Sequence, residues 1–332
     1  PQMRSYDQIT ADYEPYTLFF NRKSFNSNNV NTDINGFRLN YFNNSFKPAH
    51  EFSEIDEISI VIGGSTVFGF GSSDDSKSIP SIMTKYSKEI FLNFGATAFN
   101  SRQELFLFIN NLNKFRKIKQ VIIISGVNDL YLGINNKNEN NFFFKNTFQL
   151  SNDLYKIRNN YYQRLLYLLY KTFQDKFVDP AKINFKDLFI SKKKDKLDNL
   201  INFGIIEKNY DNIFSVWTSL SNYFKFKLTF CLQPMAGWAD KELHENEIKL
   251  FKLLDNSDNE SHLNLKILSD RLNYKTYLKI LQKISNKYNT NFTDLNSDIK
   301  SNTNKNNWIF VDRVHLTDLG CEKISKIILD KI

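Results

Sequence analysis

The chain has 332 residues, 41% hydrophobic and 15% aromatic, enough to bury a sizeable core in one large α/β domain with insertions or in two domains. The formal charge of +8 is scattered among Asn, Phe and Tyr, with one dense run at Lys192, Lys193 and Lys194, and reads as a solvated basic surface rather than a nucleic-acid footprint. Cys231 and Cys321 stand outside any CxxC pair, which argues against a metal site or disulfide framework, and no apolar run reaches the roughly 18–20 residues of a membrane span.

Residues 1–50 are polar, aromatic and loop-like, punctuated by Pro15, Gly36 and Pro48, and are expected to form an extension packing on the core. The first strong signal is ISIVIGG at 58–64, a β-branched run stopped by two glycines, as in a buried parallel strand. IPSIMTKYSKEI then looks helical, and IFLNFG at 90–95 reads as a second strand. Ser101 lies three residues before Glu104, a capping-box pattern at the head of an amphipathic helix. VIIISG at 121–126, LTFCLQP at 228–234 and NFTDL at 291–295 read as further strands. A last helix follows His315, with Ile324, Ile327, Ile328 and Ile332 on one face. Strands alternating with helices predict a parallel sheet covered on both faces, with the main domain running over 51–332. The stretch 135–225 shows no convincing strand, is too long for a plain loop, and is expected to be a helical insertion, such as a cap beside the site.

In an open parallel sheet, ligands bind beyond the carboxyl ends of the strands. The residues found there are Gly63, Gly64, Ser65 and Thr66 after the first strand, Asn93 and Gly95 at the second, Asn128 and Asp129 after the third, and Asp312 and His315 after the fifth. These types are the parts of an acyl-transfer site. A serine hydroxyl is a weak nucleophile until a base takes its proton. Of the four histidines, only His315 has an Asp three residues earlier, so Asp312 can orient one ring nitrogen and aim the other at Ser65. The oxyanion needs preorganised donors, for which the Ser65 and Gly95 amides and the Asn128 side chain are the expected set. Each signal has a structural reading when taken alone: a glycine turn at Ser65, a backbone requirement at Gly95, a turn or cap at Asn128–Asp129, and a surface pair or a cap for the last helix at Asp312–His315. Their joint occurrence at successive strand ends favours the site. A phosphate loop does not fit, because no Gly-Lys-Ser/Thr follows.

In these blocks the chain resembles the SGNH (GDSL-like) hydrolase family: GGSTVFG for Ser65, NFGATAFNSRQEL for Gly95, SGVND for Asn128 and VDRVHLTDLG for Asp312 and His315. The blocks occur in the family's order and span 63–320. Gly64 departs from the best-known form, which has Asp there, and matches a bacterial GGS-type variant. The resemblance implies a three-layer α/β/α sandwich with a five-stranded parallel sheet, flavodoxin-like, working without metal or organic cofactor. It implies a serine ester hydrolase that removes an acyl group, acetyl above all, through an acyl-enzyme on Ser65. NTDINGFR at 31–38 and LQP at 232–234 resemble features of bacterial members encoded near polysaccharide genes, implying a carbohydrate ester or another small ester as substrate.

Two other functions fit the same residues: an O-acyltransferase that passes the acyl group to a glycan hydroxyl, and a non-catalytic glycan- or protein-binding module. Gln233, at the end of the fourth strand, and Arg102, after the glycine block, are candidate substrate contacts, each with a structural alternative. Arg38 reads as structural. Trp217, Trp238 and Trp308 are candidate sugar-stacking surfaces, although core packing is the commoner use. No nucleic acid and no membrane span are expected, and a protein partner stays open. No signal peptide is visible, but the sequence opens on Pro1, so a missing leader or anchor stays compatible and the compartment is left open.

Overall fold

The computed structural model describes residues 5–6, 8–87, 89–134, 182–184, 201–256 and 260–332. Ten strands are labelled in chain order: β1 (Thr10–Glu14), β2 (Leu18–Asn21), β3 (Asn40–Phe42), β4 (Ser45–Lys47), β5 (Ile58–Gly63), β6 (Phe91–Gly95), β7 (Ile118–Ser125), β8 (Lys182–Asn184), β9 (Lys227–Leu232) and β10 (Asn291–Asp294). The helices that matter below are α1 (Ser65–Phe68), α2 (Ile79–Ser87), α3 (Ser101–Asn111), α4 (Val127–Leu132), α5 (Phe203–Phe224), α6 (Glu245–Asp255), α7 (Arg271–Lys287), α8 (Leu295–Asn302) and α9 (Asp318–Leu329).

Five strands form one sheet in the order β10-β9-β7-β5-β6, every neighbouring pair parallel. They are the five strands expected from the sequence. Alternation along them sorts side chains to two faces, because successive residues of a strand point to opposite sides. Val61, Ile122, Ile124 and Cys231 join Ile79 and Met83 of α2, Ile299 of α8, and Ile324, Ile327 and Ile328 of α9 in one apolar cluster. Ile60, Ile62, Val121, Ile123, Phe230 and Leu232 join Leu105 and Phe108 of α3, Phe214 and Trp217 of α5, and Leu281 and Ile284 of α7 in the other. The result is a three-layer α/β/α sandwich with an all-parallel centre. Its order reverses between β5 and β7, and that switch point is where such sheets open a crevice.

The N-terminal fifty residues hold more regular structure than their loop-like composition suggests. β1 and β2 pair antiparallel, as do β3 and β4. Within the stretch expected to be a helical insertion, β8 adds a strand to the free edge of β1. Phe203–Phe224 is α5, a 22-residue helix whose Phe214 and Trp217 belong to the sheet's own covering layer. Apart from the residues that flank α5, the remainder of that stretch, with the expected YYQRLLYLLYKTF helix and any cap, lies outside the described residues. Helix α3 is capped one residue earlier than expected: Asn100 is the N-cap and Gln103 completes the capping box. Ser101 and Glu104 point inward instead and join a buried polar cluster.

Among the described residues, no helix is long and apolar enough to cross a membrane. Both cysteines are buried and unpaired, and burial pushes each thiol up to about 12, which leaves them unreactive packing residues.

Candidate active site

β5 delivers Ser65 directly to the first position of α1, at the carboxyl edge of the sheet. The Ser65 Oγ lies 2.8 Å from His315 Nε2, and His315 Nδ1 lies 2.6 Å from Asp312 Oδ2. A carboxylate only accepts hydrogen bonds, so Nδ1 carries the proton, and Nε2 is left free to accept from the serine hydroxyl. Burial alone would raise the Asp312 carboxyl. The charge and hydrogen bond of His315, with the amides of Val314 and His315, outweigh it and hold the group at about 2. Those two amides both donate to Asp312 Oδ1 at 2.8 Å, which fixes the carboxylate before the imidazole meets it.

The segment carrying this pair is a short hairpin. Val311 N–H donates to His315 O, Thr317 N–H donates to Ile309 O, and Phe310 bridges to Leu316. Helix α6 grips it from one face at every fourth residue. The buried Glu247 carboxylate accepts from the Ile309 and Phe310 amides, each at 2.9 Å, and from Lys241 Nζ at 2.6 Å. Phe251 lies under the Arg313 guanidinium, and Asp255 pairs with Arg313 at 2.6 Å. Nothing in the sequence marks this grip, because Glu247, Phe251 and Asp255 read as an ordinary helical face.

Asn128 stands in the first turn of α4, after β7. Its Nδ2 donates to Phe99 O at 2.7 Å, and a Cβ built on Gly64 would meet that nitrogen at 2.9 Å. Asn128 therefore sits beside the Ser65 turn, and its Nδ2 makes no other hydrogen bond among the described residues.

Gly95 does not take the place expected for it. Its N–H donates to Asn93 Oδ1 at 2.9 Å, so it has no proton to offer an oxyanion. Its glycine identity has a packing cause, since a Cβ there would meet Phe68 N at 2.0 Å. Three residues on, Ala98 is buried with φ +62, a backbone region that costs an L-residue roughly 1 kcal/mol or more. Neither the Ala98 N–H nor the Ser65 N–H makes a hydrogen bond among the described residues. A strained residue with an open amide, next to the carbonyl that holds Asn128, is the arrangement expected where an anion is to be received. The residue type of an alanine gives no hint of it.

The loop between is pinned from the N-terminal region. Asn21 at the end of β2 donates to Gly95 O and accepts from Thr97 N–H. Arg38, fully buried, donates to Phe68 O and Gly69 O at the carboxyl end of α1 and pairs with Asp75 at 2.7 Å. This is the structural use expected for it.

Gln233 is buried, and its Nε2 donates to Thr66 Oγ1 at 2.7 Å, so it braces α1. Arg102 donates through Nε to Asn209 Oδ1 at 2.6 Å, an attachment between α3 and α5. Trp217 and Trp238 are core residues, whereas Trp308 is partly exposed and stacks on His244. Among the described residues there is no cluster of His, Cys, Asp or Glu able to hold a metal ion.

No protein-family model matches the chain, and no curated protein sequence matches it. Solved structures do resemble it in chain course. An acetyl xylan esterase, AlAXEase, is 13% identical with a TM-score of 0.42, covering 83% of this chain and 99% of that one. A G-D-S-L lipolytic protein from Veillonella parvula is 9% identical with a TM-score of 0.44, covering 83% of this chain and 98% of that one. A lipase/acylhydrolase from Enterococcus faecalis is 12% identical with a TM-score of 0.41, covering 84% of this chain and 95% of that one.

Proposed function

We propose that the chain is an SGNH-type serine hydrolase that cleaves an ester through an acyl-enzyme on Ser65. The observation that carries the reading is the continuous chain of short hydrogen bonds from Asp312 through His315 to the Ser65 hydroxyl. His315 takes the Ser65 proton as Oγ attacks the ester carbonyl, and Asp312 stabilises the imidazolium that forms. The Ser65 and Ala98 N–H groups and the Asn128 side chain receive the oxyanion. His315 then hands its proton to the departing alkoxide. Water, deprotonated by the same imidazole, releases the acid and restores the serine.

An acetyl group and a carbohydrate alcohol are the proposed substrate parts. The carbohydrate alcohol rests on the sequence likeness at 31–38 and 232–234, whose Arg38 and Gln233 brace α1, and the acetyl group on the resemblance to the ester hydrolase family. The test is turnover of p-nitrophenyl acetate and labelling by a fluorophosphonate. Wild type should hydrolyse the ester and take the label on Ser65, and Ser65→Ala should lose both, with turnover falling roughly 10⁴-fold or more. Retained turnover in Ser65→Ala sinks the assignment. A series of acyl glycans of rising chain length would then fix the substrate, with loss of activity beyond acetyl expected.

A further inference from the structure

Two hydrogen bonds hold the His315 ring through its two nitrogens, whose N–H and lone pair are directed in the ring plane. They resist sliding within that plane and do little against rocking out of it. Once Ser65 is acylated the Oγ bond is gone, and Asp312 alone keeps the imidazole aimed. A base that must act a second time needs something against its face.

Phe70 is there. Its ring centroid is 4.5 Å from that of His315, with the planes tilted by 32°. Its N–H donates to the carbonyl of Ser65 itself at 2.9 Å, so one residue is tied to the nucleophile by its backbone and to the base by its ring. The flanking glycines make this possible. Gly69 and Gly71 both have left-handed backbones, φ +87 and +97, which turn the chain sharply on each side of Phe70. A Cβ would strike Arg38 Nη1 at 2.5 Å from Gly69 and Leu316 O at 2.8 Å from Gly71. Tyr6 packs on Phe70 with centroids 4.7 Å apart, and its hydroxyl is anchored on Gly69 O and Ser72 O, each at 2.8 Å.

We propose that Phe70, braced by Tyr6, is a positioning residue that holds the His315 imidazole in the plane joining Asp312 to Ser65 through both half-reactions. Its role in turnover rests on the serine-hydrolase reading above; its hold on the ring does not. The π face also favours the imidazolium that forms as Ser65 gives up its proton.

The experiment compares wild type, Phe70→Leu and Phe70→Tyr by p-nitrophenyl acetate kinetics and by NMR exchange of the His315 Nδ1 proton with water. Phe70→Leu keeps bulk and loses the aromatic face. It should lower kcat roughly 3- to 10-fold, the span an aromatic contact commands, with little change in KM, and should speed proton exchange by a similar factor. Phe70→Tyr should restore both. Wild-type kcat and exchange in Phe70→Leu would overturn the proposal. So would equal losses in both variants, which mean packing alone, or a rise in KM alone, which makes Phe70 a substrate wall. If no form turns over ester yet exchange still quickens in Phe70→Leu and recovers in Phe70→Tyr, the positioning role stands and the hydrolase reading falls.

Discussion

The Asp129 carboxylate accepts both the backbone N–H of Ser101, at 3.0 Å, and its hydroxyl, at 2.6 Å. This joins the turn that carries Asn128 to the first turn of α3. Burial raises the Asp129 carboxyl, the Ser101 bonds oppose it, and the group ends at about 6. The native state therefore holds this proton more tightly than the unfolded chain does. The stabilisation is fully present below the unfolded value and is lost as pH rises through about 6. Urea titrations of wild type and Asp129→Asn across pH 4–7 should show the wild-type advantage shrinking by up to about 3 kcal/mol. A constant difference would count against it. Asp312, held at about 2, acts with the opposite sign: its contribution is present above the unfolded value and is lost as pH falls through about 2.

Arg38→Met should destabilise by about 3–5 kcal/mol, because it leaves the buried Asp75 without its cation. Adding Asp75→Leu should recover part of that loss. Denaturation midpoints of the two single variants and the double variant check this, and strict additivity of the losses would refute it.

Glu247→Ala strips the Ile309 and Phe310 amides of their acceptor and leaves Lys241 buried without a counter-ion. A loss of about 3–5 kcal/mol is expected. Glu247→Gln can still accept from both amides and should fall between. Because the gripped hairpin carries Asp312 and His315, fluorophosphonate labelling of Ser65 should slow in the same rank order. Labelling at the wild-type rate in Glu247→Ala would separate the grip from the site.

Gly95 and Ala98 should respond in opposite ways. In Gly95→Ala the new methyl meets the backbone of Val67 and Phe68, which cannot swing aside, so α1 must shift. We expect about 1–3 kcal/mol of destabilisation and a marked drop in Ser65 labelling. Ala98→Gly relieves the left-handed strain and should raise stability by about 1 kcal/mol. Thermal melts of both variants decide, and a destabilised Ala98→Gly would contradict the strain.

The central sheet was legible because its strands are buried on both faces, which leaves near-continuous β-branched runs such as Ile58–Gly63, broken only by Ser59. Asp312 and His315 were legible from their spacing, since the loop brings both side chains to one point. Where residue type and position separate, the reading failed. Gly95 looked like an open amide but is a close-packing requirement, and the strained amide belongs to Ala98, whose conformation leaves no trace in composition. Asn100–Gln103 and Ser101–Glu104 fit the same capping pattern, and tertiary contacts with Asp129 and Ser125 decided between them. The polar N-terminal segment hid β1–β4 because Asn21 and Arg38 spend their polarity on backbone groups of the core rather than on solvent.

The hydrogen bond between Ser65 and His315 spans 250 positions of the chain. During synthesis Ser65 emerges 250 residues before His315, so a chain made only as far as β10 carries Ser65 without that partner. Closing so long a separation is a late event in folding, because distant contacts are made only after the segments between them are ordered. The Ser65–His315 contact thus forms together with the docking of the 309–317 hairpin and α9, and a chain cut before residue 312 keeps β5, β6 and β7 but lacks both Asp312 and His315.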